Sequence, residues 1–180
     1  MLYCINATAE PSSGGGEVQE AVVMKSKLNA NQSVAKEVHT KVNLVDTIYD
    51  TDSAFADGKF KPNVAGYYQV NGIVDSKSST PKSLRTIASI YLNGVEETVG
   101  TDLAYAVDAG WDAISNVSSI IYLNGTSDYI ELYGYVSSTG AVINANTTEL
   151  SASLITGQST GGSGGGGTTD ILPVLSSGGV

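Results

Sequence analysis

At 180 residues the chain has room for one domain with arms, and its 41 % hydrophobic and 15 % charged residues exclude a disordered polymer. Eighteen Asp+Glu against nine Lys+Arg give a formal net charge of −9, the wrong sign for a nucleic-acid binder. One cysteine rules out an internal disulfide and Cys-rich zinc modules, and one histidine leaves little of the usual catalytic toolkit.

Residues 1–20 read as an N-terminal arm. Met1–Ile5 has no basic flank, and polar Asn6–Glu10 follows too soon for the apolar run of a signal peptide. No stretch approaches the ~20 apolar residues of a membrane helix, so no membrane partner is expected. Pro11-Ser-Ser-Gly14-Gly15-Gly16 forms a flexible joint.

Residues 21–156 read as one all-β domain. Strand candidates begin at 21–28 and 41–49. Tyr68, Val70, Gly72 and Val74 then alternate with Tyr67, Gln69, Asn71 and Ile73, which places the two sets on opposite faces of a strand. Ala88, Ile90 and Leu92 alternate with Ile87, Ser89 and Tyr91, and Val117, Ile121 and Leu123 with Ser118, Ile120 and Tyr122. In 129–136, Ile130, Leu132 and Val136 face one way and Tyr129, Glu131, Tyr133 and Tyr135 the other. Leu150, Ala152 and Leu154 end the series. Asp57-Gly58, Asn93-Gly94, Ala109-Gly110 and Asn124-Gly125 supply turns between runs. Many short strands at this spacing mean a sandwich, jelly roll or barrel. The tyrosine row at 129–135 needs cover, either from a second sheet or from another copy of the chain.

Residues 157–180 read as a Gly-rich tail ending in an apolar knot, Ile171-Leu172-Pro173-Val174-Leu175. Twelve of the 21 glycines lie outside residues 21–156, which sets both ends apart from the domain. The charge is also unevenly spread. All nine basic residues lie between Lys25 and Arg85, so residues 1–85 balance to zero and residues 86–180 carry the whole −9. Were the two halves to occupy different faces, one would repel anions and the other pair with an acidic partner.

Catalytic constellations fail on the residue list. Ser-His-Asp or Cys-His chemistry needs a histidine base, and His39 stands alone at the edge of an early strand, where a pairing role is expected. Asp108 and Asp112 flank Trp111, a grouping that can stack on and hydrogen-bond a sugar, so these three are candidate glycan contacts. Glu96, Glu97 and Asp102 lack EF-hand spacing, and Gly161–Gly167 lacks the lysine of a phosphate loop. No metal or cofactor is implied.

The run Val42-Asn43, Tyr49-Asp50, Phe55, Phe60-Lys61-Pro62 and Val64-Ala-Gly66-Tyr67-Tyr68-Gln-Val70 resembles the opening of a C1q/TNF-like globular domain. Ile87–Gly94, Tyr122–Leu132 and Glu149–Ile155 are similar to its later strands, although the last lacks the usual Phe-Ser-Gly-aromatic pattern. The wording Gly66-Tyr-Tyr-Gln-Val-Asn-Gly72 resembles versions in bacteriophage virion proteins.

The resemblance implies a ten-stranded jelly roll that trimerises about a threefold axis and performs no catalysis. Tyr67, Tyr68, Tyr129, Tyr133 and Tyr135 would then lie at the trimer interface. The chain is expected on the outer surface of a virion, as a decoration or cement protein held to the major capsid protein by Ile171–Leu175. The alternative is a tail-fibre or spike tip that touches host glycan. A cellular adhesion protein of the same fold is a third reading, disfavoured by the missing signal peptide.

Overall fold

The computed structural model describes residues 21–78, 82–107, 112–145 and 147–157. Among them are thirteen strand segments and no helix: β1 (Val23–Lys27), β2 (Gln32–Ser33), β3 (Thr40–Lys41), β4 (Asp46–Asp50), β5 (Phe55–Ala56), β6 (Lys59–Phe60), β7 (Gly66–Lys77), β8 (Lys82–Leu92), β9 (Val95–Val107), β10 (Asp112–Leu123), β11 (Ile130–Val136), β12 (Val142–Ile143) and β13 (Glu149–Gly157). The ten strands expected resolve into eight of five residues or more and five of only two. Strand β9 gave no clear alternation in the sequence, because Val95-Glu-Glu-Thr-Val-Gly-Thr-Asp mixes both kinds of residue on both faces.

Two antiparallel sheets pack face to face. Sheet A runs β2-β12-β7-β13-β1-β4, with β10 on the other edge of β7. Sheet B runs β5-β6-β11-β8-β9, with β3 also paired to β11. The alternation read from the sequence sets the registers. Tyr68, Val70, Val74, Val117, Leu123 and Leu150 point inward from sheet A, and Phe60, Ala88, Ile90, Ile130, Leu132 and Val136 from sheet B. Each large side chain buried this way contributes roughly 1.5–3 kcal/mol. Phe60 meets Tyr68 edge to face at 5.5 Å, and the Tyr68 hydroxyl donates to the Val64 carbonyl at 2.7 Å.

The hairpins follow turn chemistry. Asn93 (φ 53°) and Gly94 (φ 81°) both adopt left-handed backbone between β8 and β9, as the two-residue turns that suit twisted strands require. Asp57 (φ 52°) and Gly58 (φ 67°) do the same between β5 and β6.

The two long sides of the sandwich differ. On one, β9 of sheet B runs against β10 of sheet A, and Gly100 permits the approach: a Cβ there would lie 2.7 Å from Val117 Cβ and on top of the Asn116 carbonyl. Hydroxyls join the seam, Thr98 to Ser119 at 3.1 Å and Ser115 to the Thr101 carbonyl. On the other side a cleft of about 480 Å³ opens between the segment before β4 and the β5–β6 hairpin, lined by Leu44, Val45, Thr47, Phe55 and Ala56 among others.

Candidate assembly interface

Strands β7, β10 and β13 bury one set of side chains in the core, and the period of two drives the other set outward. From β7 these are Tyr67, Gln69, Asn71 and Ile73, then Asp75 and Lys77; from β10 they are Asp112, then Ile114, Asn116, Ser118, Ile120 and Tyr122; from β13 they are Glu149, then Ser151 and Ser153. The charged members, Asp75, Lys77, Asp112 and Glu149, gather at one end, and the rest of the set is uncharged in a chain whose net charge is −9. Several are large and bare: Ile120 is 60 % exposed and Tyr67 51 %, and Ile155, in the β13 bulge, 53 %. Tyr67 and Tyr122 pack edge to face at 5.3 Å.

A polar band crosses the middle of this face. Gln69 Nε2 donates to Ser118 Oγ at 2.9 Å, and Ser118 Oγ donates to Asn71 Oδ1 at 2.9 Å. Charge appears toward the margins: Glu149 pairs with Lys25 at 2.8 Å and Lys27 at 3.4 Å, Lys77 lies 3.9 Å from Asp112, and Asp75 is buried rather than ion-paired. A neutral centre with a charged rim is the anatomy of a protein–protein contact.

The outer face of sheet B is different, because the chain covers much of it itself. Tyr133 stacks on Tyr91 at 3.8 Å, Lys59 Nζ lies 4.2 Å from the Tyr129 ring centroid, and Tyr135 meets His39 at 5.2 Å and the Arg85 guanidinium at 5.4 Å. Burial pushes the phenols of Tyr91 and Tyr133 above their ordinary range. Glu131 is buried among them and is held by Lys41 at 2.7 Å. His39 Nδ1 lies 3.5 Å from Glu96 Oε2 but makes no hydrogen bond.

The five tyrosines singled out in the sequence therefore do not form one patch. Tyr67 lies on the outer face of sheet A, and Tyr129, Tyr133 and Tyr135 on that of sheet B. Tyr68 has no exposed surface, so it packs the core beneath the face and touches no other molecule. Asp112 pairs with Lys77 at the end of β10, whereas Asp108 and Trp111 lie outside the described residues, as does Ile171–Leu175. Sequence reasoning did not single out Ile120, Tyr122, Gln69, Asn71 and Ser118 as contacts. The signal was the absence of charge from Tyr67 to Ile73 and from Ile114 to Tyr122 on the outward set, which only the pairing of β7 with β10 assembles into one surface.

The two charge halves of the sequence interleave in space. Lys25, Lys41, Lys77 and Arg85, all from the first half, pair with Glu149, Glu131, Asp112 and Asp102 of the second. Among the described residues no group of three or more His, Cys, Asp or Glu is placed to hold a metal ion.

No family of known sequences and no curated protein matches the chain. Solved structures do. The globular domain of zebrafish complement 1qA superposes with a TM-score of 0.51 at 13 % identity, covering 76 % of this chain and 99 % of that one. Murine APRIL gives 0.52 at 12 % identity over 76 % and 100 % of the two chains. Eiger TNF from S. frugiperda gives 0.51 at 8 % over 77 % and 94 %. Identities this low speak to architecture alone, and the architecture is that of the C1q/TNF-like jelly roll.

Proposed function

We propose that the chain is a non-enzymatic structural protein that works as a homotrimer joined through the outer face of sheet A, and that it decorates or cements the head of a bacteriophage. The observation that carries the reading is the uncharged centre of this outer face on a strongly acidic molecule. Copies of a −9 chain repel one another, so a contact between them favours a surface that brings no acid against acid. A face that is bare, apolar at several points and uncharged across its centre meets that condition, and closed rotational symmetry leaves no spare copy of it in water.

The virion setting rests on the likeness of Gly66–Gly72 to phage proteins and on the points where the chain enters and leaves the domain. The Leu154 amide donates to the Val22 carbonyl at 2.9 Å, so the chain enters and leaves the domain on neighbouring strands of sheet A. Two arms issuing side by side can engage one neighbour together, which multiplies a weak grip. Ile171–Leu175 is the proposed capsid anchor.

Two experiments test this. Sedimentation of the purified chain gives a trimer, and Ile120→Lys gives a folded monomer; an unchanged trimer in that variant removes the proposed face. Quantitative mass spectrometry of purified virions gives a copy number comparable with the major capsid protein, and deletion of residues 157–180 leaves the trimer but abolishes attachment. A copy number of a few fibres would move the protein to a tail tip, and absence from virions would refute the setting altogether.

A further inference from the structure

The polar band on sheet A has unused hydrogen-bonding capacity. Asn71 lies opposite Ser118 in the β7–β10 register, and Gln69 opposite Ile120. The Asn71 carbonyl oxygen accepts from Ser118 Oγ at 2.9 Å and from Gln69 Nε2 at 3.3 Å. Gln69 Nε2 also reaches Ser118 Oγ at 2.9 Å and the Ser119 carbonyl at 3.3 Å. That leaves the Asn71 NH2 group and the Gln69 side-chain oxygen without intrachain partners among the described residues. One is a double donor and the other an acceptor with two lone pairs. Each copy thus presents both halves of an amide–amide contact, so the donor of one copy can meet the acceptor of the next around a closed ring.

The apolar parts of the face do not fix alignment by themselves. Tyr67, Ile120 and Tyr122 lie on one side of the band and Ile73 and Ile114 on the other, so a slip of two residues still sets apolar against apolar. A slip would, however, bury the free amide groups against hydrocarbon, which is costly.

We propose that Gln69, Asn71 and Ser118 set the register and the number of copies in the assembly, through amide contacts that run head to tail around the ring of copies, while the apolar residues around them supply the adhesion. Buried polar groups act this way in other oligomers, fixing stoichiometry at some expense of affinity. The inference rests on the reading of this face as a self-contact.

The test uses the full chain, with sedimentation velocity and native mass spectrometry of the wild type, Asn71→Leu, Gln69→Leu and Ile120→Lys, and circular dichroism to confirm folding. Asn71 is exposed and its side chain leaves the core, so the leucine variant folds. The expected result is one trimeric species for the wild type and a mixture of stoichiometries for Asn71→Leu and Gln69→Leu, with association retained. Asn71→Ser, which keeps a polar group, narrows the mixture again. A single trimer in both leucine variants overturns the proposal, and so does complete dissociation, which would make the band adhesive. A monomeric wild type that is unchanged by Ile120→Lys instead refutes the self-contact itself.

Discussion

Asp75 offers the sharpest test of the energetics, because a buried carboxylate with a bare oxygen destabilises a fold whenever it is ionised. Its side chain belongs to the outward set of β7, yet the segment before β13 closes over it and leaves it 2 % exposed. The Asn144 amide donates to the Asp75 carbonyl at 2.7 Å, the Asp75 amide donates to Thr148 Oγ1 at 3.0 Å, and the Thr147 hydroxyl donates to Asp75 Oδ2 at 2.7 Å. Oδ1 has no partner. Burial raises the pKa above the usual aspartate range, the Thr147 hydroxyl opposes the rise, Asp112 adds to it and Lys77 subtracts.

A folded-state pKa above the unfolded one means that the fold prefers the protonated acid. The contribution is fully present below the unfolded aspartate value of about 3.9 and is lost as pH rises through the raised folded value. Asp75→Asn removes the charge and keeps an acceptor for Thr147. At pH 7–8 the variant should be more stable by about 1–3 kcal/mol, the scale of one unsatisfied buried group. For a domain of this size that is about 3–10 °C in Tm. Denaturant midpoints at fixed protein concentration, from pH 8 down to pH 4, should show the gap closing as Asp75 takes up its proton. A variant less stable than wild type at pH 8, or a gap that ignores pH, would refute the reasoning.

Three further outcomes follow from packing and pairing. Gly100→Ala forces a methyl group into the β9–β10 seam, so the denaturation midpoint should fall by the equivalent of about 3 kcal/mol, with faster amide exchange in both strands. Lys41→Met leaves Glu131 buried with only Lys59, 3.9 Å away, and should cost about 2 kcal/mol by equilibrium unfolding at pH 7. Tyr68 is held neutral, its pKa pushed up to about 12 by burial and by Asp52. Its contribution is therefore intact below pH 10 and lost as pH climbs toward 12, so Tyr68→Phe should flatten the alkaline limb of the stability curve and cost about 1 kcal/mol at neutral pH.

Much of the fold was legible because burial on one face imposes a period of two. Tyr68, Val70 and Val74, and likewise Val117, Ile121 and Leu123, announced their inward faces directly, and Asn93-Gly94 announced its hairpin. Strand β9 was silent, since Val95 and Val99 are exposed and Gly100 is kept small by a neighbour 16 positions away in sequence. The tyrosine row at 129–135 was visible, but its cover was not. That cover comes from Lys59, Tyr91 and His39, which only the pairing of β11 with β3, β6 and β8 brings there. The uncharged centre of the outer face of sheet A was equally hidden, because it exists only once β7, β10 and β13 lie side by side. Asp75 went unremarked in the sequence, because its burial depends on Asn144, Thr147 and Thr148, which are far from it along the chain.

The place of β13 has a consequence for how the molecule is made. It lies in the middle of sheet A, between β7 and β1, though it is the last strand in the described chain. Until residues 149–157 have left the ribosome, β1 with β4 and β7 with β10 are two separate ribbons, each with an open, hydrogen-bond-hungry edge. Sheet A therefore closes only once the whole domain has been made, and slowly, as it does for topologies that wait on distant pairings. A nascent chain stalled before Glu149 would offer both edges to its neighbours on the same message, and a completed β13 from one copy fits the gap in another as well as its own. Production at high concentration should thus yield strand-exchanged oligomers alongside the native assembly, with the exchange occurring at this one strand.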